Sequence, residues 1–137
     1  MKGVVVKIME GFVSKHIKIM KISIVKYNDK FLNSISWFMK VGGFTFFPYI
    51  WLREKYKEPH YQWVLSSKIN HESIHIEQQK ELLVVFFYAW YLIEWFVRLF
   101  MKGNAYRNIS FEKEVYSNQD NMKYLETRKR YSFFKYF

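Results

Sequence analysis

From Ser66 to Met101 the chain runs thirty-six residues without Gly or Pro and is dense in helix formers. That exceeds an ordinary globular helix, so the pattern predicts a long helical region with a break or bend inside it. Ser66, Ser67 and Asn70 are the candidate caps. Upstream, Phe31, Ile35, Phe38 and Met39 share a face and predict a short helix over Phe31–Val41, entered from the turn-like Asn28-Asp29 and closed by Gly42-Gly43. Phe44–Leu52 is a run of aromatic and β-branched residues and reads as one strand. Pro48 within it has no N–H to donate, which points to an edge position. Arg53–His60 reads as a charged loop, and Tyr61–Leu65 as a second short strand. After Lys102-Gly103-Asn104, Asn108 or Ser110 can cap a last helix running to about Tyr131.

The first segment, Met1–Tyr27, is basic and mixed. His16-Ile17-Lys18-Ile19 alternates as a strand does, while Phe12, Val13, His16, Ile17 and Met20 also suit a helix. Lys7 and Glu10 interrupt the apolar start, so no secretory signal is expected. The reading is a basic N-terminal extension over residues 1–30, of which 1–19 are dispensable to the core fold, and one domain over residues 31–137. The expected class is α+β, mostly helical, with a small sheet or hairpin.

Composition narrows the chemistry. The 137 residues include no cysteine and four histidines, His16, His60, His71 and His75. Disulfides, thiolate metal sites and a cysteine nucleophile are therefore excluded, and a tightly held transition metal must use histidine and carboxylate. The lack of cysteine fits a reducing compartment, and a cytoplasmic location is expected. Twenty-two Lys and Arg against twelve Asp and Glu give a charge of +10. That charge permits anionic partners but selects none.

Two of the four histidines fall in His71-Glu72-Ser73-Ile74-His75, an H-E-x-x-H pattern in the long helical region. Residues i and i+4 lie on one helix face, so both imidazoles can address one metal, and the glutamate between them can take a proton from an activated water. Without a third ligand the same residues are two histidines and an acid on a polar helix. The extended form of the motif needs Gly at 78 and His at 81. The chain has Gln78 and Glu81, which excludes it. Glu112 and Glu114, 37 and 39 residues after His75, are the better candidates. As plain first-turn acids they would only favour a helix dipole.

These stretches resemble the zincin superfamily of zinc metallopeptidases in its minimal, glutamate-ligand (gluzincin-like) form, and in particular small bacterial proteins of Bacteroidota type. The resemblance is carried by Gly43–Ile50, Asn70–His75 with Gln78, Gln79 and Glu81, Tyr91–Trp95 and Ala105–Tyr116. It covers about residues 31–137. It implies zinc (Zn2+) held by His71, His75 and a glutamate of the Phe111–Tyr116 stretch, with Glu72 as general base and a peptide or protein as substrate. Glu112 fits the family's ligand position best, with Val115 at its small position. Tyr116 stands where Asp is commoner, and Glu114 is the alternative ligand. The resemblance also implies a substrate-binding edge strand, for which Phe44–Leu52 is the candidate. Tyr106, Arg107 or Tyr116 could assist an oxyanion, and Gln78 could support the site.

Leu82–Ile93 is an uncharged apolar run of twelve residues, short of the about 20 that a membrane span needs. Glu94 and Arg98 follow, spaced to pair on one helix face. The aromatic helix 82–100 reads as core, with contact to a membrane or another protein as the alternative. The tail from Lys123 to Phe137 interleaves cations with aromatics, a composition that suits nucleic acid. No recognised nucleic-acid motif accompanies it, which argues against that partner. The rival to catalysis is a non-catalytic structural or membrane-associated interaction protein on the same scaffold.

Overall fold

The computed structural model describes residues 24–36 and 41–137. The expected strand or helix around His16–Ile19, the dispensable residues 1–19, and Phe38 and Met39 of the expected first helix lie outside these residues. The described fold is α+β.

Three short strands, each rich in β-branched or aromatic residues, form one mixed sheet: β1 (Ile24–Tyr27), β2 (Gly43–Phe46) and β3 (Tyr49–Leu52). Their order is β1-β3-β2, with β1 parallel and β2 antiparallel to β3. The single strand expected over Phe44–Leu52 is therefore a hairpin, with the chain reversing at Phe47-Pro48. Pro48 sits in the turn, where its missing N–H costs no ladder bond, and its carbonyl accepts from Ile24 N at 2.8 Å. The edge position falls to β2, while β3 is central. β1 and the short helix α1 (Asp29–Ile35) both begin before residue 31, within the segment read as an extension. Asn28 caps α1, its Oδ1 accepting from Phe31 N at 2.9 Å.

The region read as a second strand, Tyr61–Leu65, is instead a 3-10 turn (Pro59–Tyr61) leading into α2 (Gln62–Leu82). Helix α2 thus starts before Ser66, Ser67 and Asn70, which lie inside it and cap nothing at its start. The expected break is present. Leu83, at φ 61°, separates α2 from α3 (Val84–Leu99), and the two axes differ by 108°. Among the described residues no single helix is long and apolar enough to cross a membrane.

Alternation on β3 turns Ile50 and Leu52 onto α2, where they pack with Tyr56, Leu65, Ile69 and Ile76. A second cluster joins Phe87 and Tyr91 of α3 to Ile109, Phe111 and Phe133. Between the two clusters runs the middle of α2, buried although largely polar: Asn70, His71, Glu72, Ser73, His75, Gln78 and Gln79. Such a helix is stable only if those groups are satisfied internally.

Helix α4 (Ser110–Asn118) lies against this polar stretch and is held at both ends by side chains from other helices. At its start, the Glu94 carboxylate accepts from Ser110 N at 2.8 Å and from Ser110 Oγ at 2.7 Å. The cap is thus Glu94, from α3, and not the hydroxyl of Ser110. It places negative charge at the helix N-terminus. Arg98 pairs with Glu94 at 3.2 Å, as the four-residue spacing predicted. At the other end, Asn70 Nδ2 reaches the carbonyls of Asn118, Gln119 and Asn121 at 2.7–3.3 Å. The expected last helix to Tyr131 stops at Asn118. A short helix α5 (Tyr124–Thr127) and a 3-10 turn (Ser132–Tyr136) follow.

Candidate metal centre

His71 and His75 project from one face of α2, with ring centroids 5.1 Å apart. Glu112 meets them from the first turn of α4. Its Oε1 is 3.1 Å from His75 Nε2, and its Oε2 is 3.7 Å from His71 Nε2. One ligand atom from each residue lies within 4.8 Å of the others, and all three residues are buried. Glu112 Oε1 also accepts from the Tyr91 hydroxyl at 2.8 Å. Glu112 Oε2 has no hydrogen-bond partner although it is buried. An unpartnered buried carboxylate oxygen is costly unless something cationic meets it. Two imidazole nitrogens and a carboxylate oxygen are a donor set suited to zinc and its divalent neighbours. The His71, His75 and Glu112 group can hold a metal ion.

Electrostatics separate the two imidazoles. Burial lowers the pKa of the His71 imidazole and keeps it neutral, as a ligand must be. Burial also acts downward on His75, but the adjacent Glu112 carboxylate and Glu72 raise it to about 9. Burial acts upward on Glu112, but His75 and His71 hold it at about 2. Without a metal, then, a proton on His75 neutralises Glu112.

The far sides of both rings are fixed. His71 Nδ1 is 2.9 Å from Gln119 Oε1, and His75 Nδ1 is 2.7 Å from Gln78 Oε1. Gln78 Nε2 donates to the Phe111 carbonyl at 3.2 Å and to Glu114 Oε2 at 3.0 Å. Those two acceptors fix the amide orientation and turn Oε1 towards His75. An amide oxygen facing Nδ1 selects the tautomer protonated there and leaves the Nε2 lone pair for the metal. Glu114 is therefore placed behind the site, not in it. Arg128 binds it through Nε at 2.6 Å and joins it to Glu81. Burial and these bonds to Glu81 and Glu114 act oppositely on the Arg128 guanidinium, and the net effect holds its pKa above the usual value.

Glu72 lies close enough to both imidazoles to act upward on each, and it is held from β2. Its Oε2 accepts from the Thr45 hydroxyl. A Cβ on Gly43 would lie 2.5 Å from its Oε1, so only glycine leaves the carboxylate room. Tyr88 of α3 stacks on Phe44 and Phe46 and donates to the Thr45 carbonyl, which Gln79 Nε2 also reaches at 2.9 Å. That carbonyl of the edge strand is thus already engaged within the chain.

Of the residues expected to assist an oxyanion, Tyr116 packs edge-on against His71 at 5.0 Å and carries the Arg107 guanidinium over its ring at 4.5 Å. Tyr106 is the more buried, and burial together with Glu112 raises its pKa far above the ordinary value, which keeps it a neutral donor. His60 is exposed beside Glu58 and far from this chemistry, while His16 lies outside the described residues. Sequence reasoning missed Gln119, Tyr91, Thr45 and Arg128. Only their approach from other elements identifies them.

Compared with known proteins, the chain matches no family model, no curated protein and no solved structure.

Proposed function

We propose that this chain is a zinc-dependent hydrolase of zincin type that cleaves peptide bonds, with His71, His75 and Glu112 as ligands and Glu72 as general base. The observation that carries the reading is Glu112 Oε2, buried and without a partner, facing an imidazole whose other nitrogen is already fixed. Zinc at such a site supplies an activated water and polarises an acyl oxygen. Glu72 stands one residue from His71 on the same helix and can take the proton and later deliver it to a leaving amine. Thr45 orients that carboxylate from β2. A peptide as substrate is supported by β2, an edge strand that abuts Glu72.

A second reading, a metal that serves structure without turnover, is favoured by the closure of the site. His71, Glu72, His75 and Glu112 are each at most 6% exposed, and the Thr45 carbonyl is already bonded internally. Metal analysis of the purified chain, with hydrolysis assayed on denatured protein and peptide libraries, separates the two. Catalysis expects about one zinc per chain, lost in a His71→Ala/His75→Ala double variant. Glu72→Gln should keep zinc and abolish hydrolysis. Absence of any bound metal from the unaltered chain sinks both readings. Zinc without turnover leaves the structural one.

A further inference from the structure

Helix α3 is apolar on nearly every side, yet it buries only Phe87, Tyr91 and Glu94, a stripe spaced four and three apart. Val85, Phe86, Leu92, Ile93, Phe96 and Phe100 are each at least half exposed. The apolar surface continues onto the C-terminal turn, where Phe134 and Phe137 pack edge-on against Trp90. Between that turn and α3 lies an open, apolar groove of about 680 Å³. A contiguous apolar face of this extent marks a binding surface.

Charge identifies what it meets. Residues 95–111 and 127–137 contain no Asp or Glu. Arg98 and Arg128 are engaged by Glu94, Glu81 and Glu114, but Lys102, Lys129, Arg130 and Lys135 are exposed. Lys102 follows the end of α3, and Lys135 lies between Phe134 and Phe137. The one acid on α3, Glu94, is buried. A second copy seated on this face would bring a second set of the same cations against the first, in a chain of charge +10. A surface that is apolar inside and anionic outside complements both features. Sixteen residues at about 1.5 Å each give α3 a length of about 24 Å, less than the about 30 Å of a hydrocarbon core. The helix can therefore lie along a bilayer but not cross it.

We propose that the exposed face of α3, with the Phe134–Phe137 turn, docks in the plane of an anionic lipid bilayer, its cations resting on the headgroups. This goes beyond the metal centre and does not depend on it.

The test is co-sedimentation of the full chain with vesicles of phosphatidylcholine, with and without about one-third phosphatidylglycerol. Partition should favour the anionic vesicles and fall as salt is raised from about 0.1 M to 0.5 M. Ile93→Glu and Phe96→Glu should each lower it about tenfold or more. Lys102→Ala and Lys135→Ala alter exposed side chains outside the packed stripe and, with folding checked by circular dichroism, should each lower it about fivefold on anionic vesicles only. Failure to bind, equal binding to neutral vesicles, or unchanged partition in the folded variants overturns the proposal. So does a concentration-dependent dimer that Ile93→Glu dissolves, which would assign the face to a second copy.

Discussion

Gln119 Oε1 lies 2.9 Å from Nδ1 of His71, while Glu112, seven residues earlier and two turns up the same side of the chain, approaches Nε2 of that ring at 3.7 Å. One segment therefore addresses both nitrogens of one imidazole. In the zincin pattern expected from the sequence, Asp is the commoner residue at position 116. Here Tyr116 packs its ring against His71, and an amide one turn further on bonds to Nδ1. Asn70 of α2 reinforces the arrangement, because its side chain binds the Gln119 carbonyl at 2.7 Å.

That bond carries the first expectation. Gln119→Ala removes the group that selects the His71 tautomer without touching a ligand. Metal affinity should fall about 10- to 100-fold, the usual effect of losing an outer partner of a ligating histidine. Competition with a chromophoric chelator measures it. Unchanged affinity would show that Gln119 does not orient the ring.

Glu112 and Glu114, equivalent as first-turn acids in the sequence, should separate completely. Glu112→Ala removes a member of the triad and should abolish metal binding. Glu114→Ala should leave the metal in place at reduced affinity, through Gln78. Arg128→Met leaves Glu81 and Glu114 buried without their cation, a loss of about 3–5 kcal/mol in stability. Denaturant midpoints and metal stoichiometry, measured on the same samples, resolve the two effects. Metal loss in Glu114→Ala with retention in Glu112→Ala would reverse the assignment.

How far this was legible in the sequence differs by feature. The spacing of His71 and His75, the pairing of Glu94 with Arg98 and a break in the long helical run all follow from helix geometry, which is local. The position of the break did not, because Leu83 is not a residue that announces a positive φ. The hairpin was read as one strand because its turn, Phe47-Pro48, is set in an unbroken aromatic run with no Gly or Asn to mark the reversal. The polar middle of α2 resembled a surface helix, since its partners are amides and acids supplied from α4 and the C-terminal segment. Those residues become specific only once the fold brings them together.

Gly43 offers a test of Glu72 that leaves every ligand intact. In Gly43→Ala the new methyl would sit 2.5 Å from Glu72 Oε1 and 3.0 Å from Leu52. The carboxylate must shift from the position that Thr45 holds, at a cost of about 1–3 kcal/mol. Zinc stoichiometry should stay near one per chain, while any hydrolysis falls at least as far as a displaced general base implies, about 100-fold. Full activity in this variant would argue that Glu72 is not the base.

The pH dependence of stability should change sign with the metal. In the metal-free chain, burial acts downward on His75 but Glu112 and Glu72 raise it from 6.5 to about 9. Stability from a raised base is fully present below 6.5 and is lost as pH rises through 9. Burial acts upward on Glu112, but His75 and His71 lower it from 4.5 to about 2. Stability from a lowered acid is present above 4.5 and is lost as pH falls through 2. Both describe the same ion pair, so its contribution counts once and is greatest between 4.5 and 6.5. Chelator-treated protein should therefore unfold at lower denaturant concentrations as pH is raised from 6.5 to 9. Zinc-loaded protein should gain over the same interval, because the metal requires the neutral imidazole and competes with one proton fewer. Denaturation curves across that interval, with and without zinc, show whether the two slopes oppose. Parallel slopes would mean that the metal and the proton do not share His75.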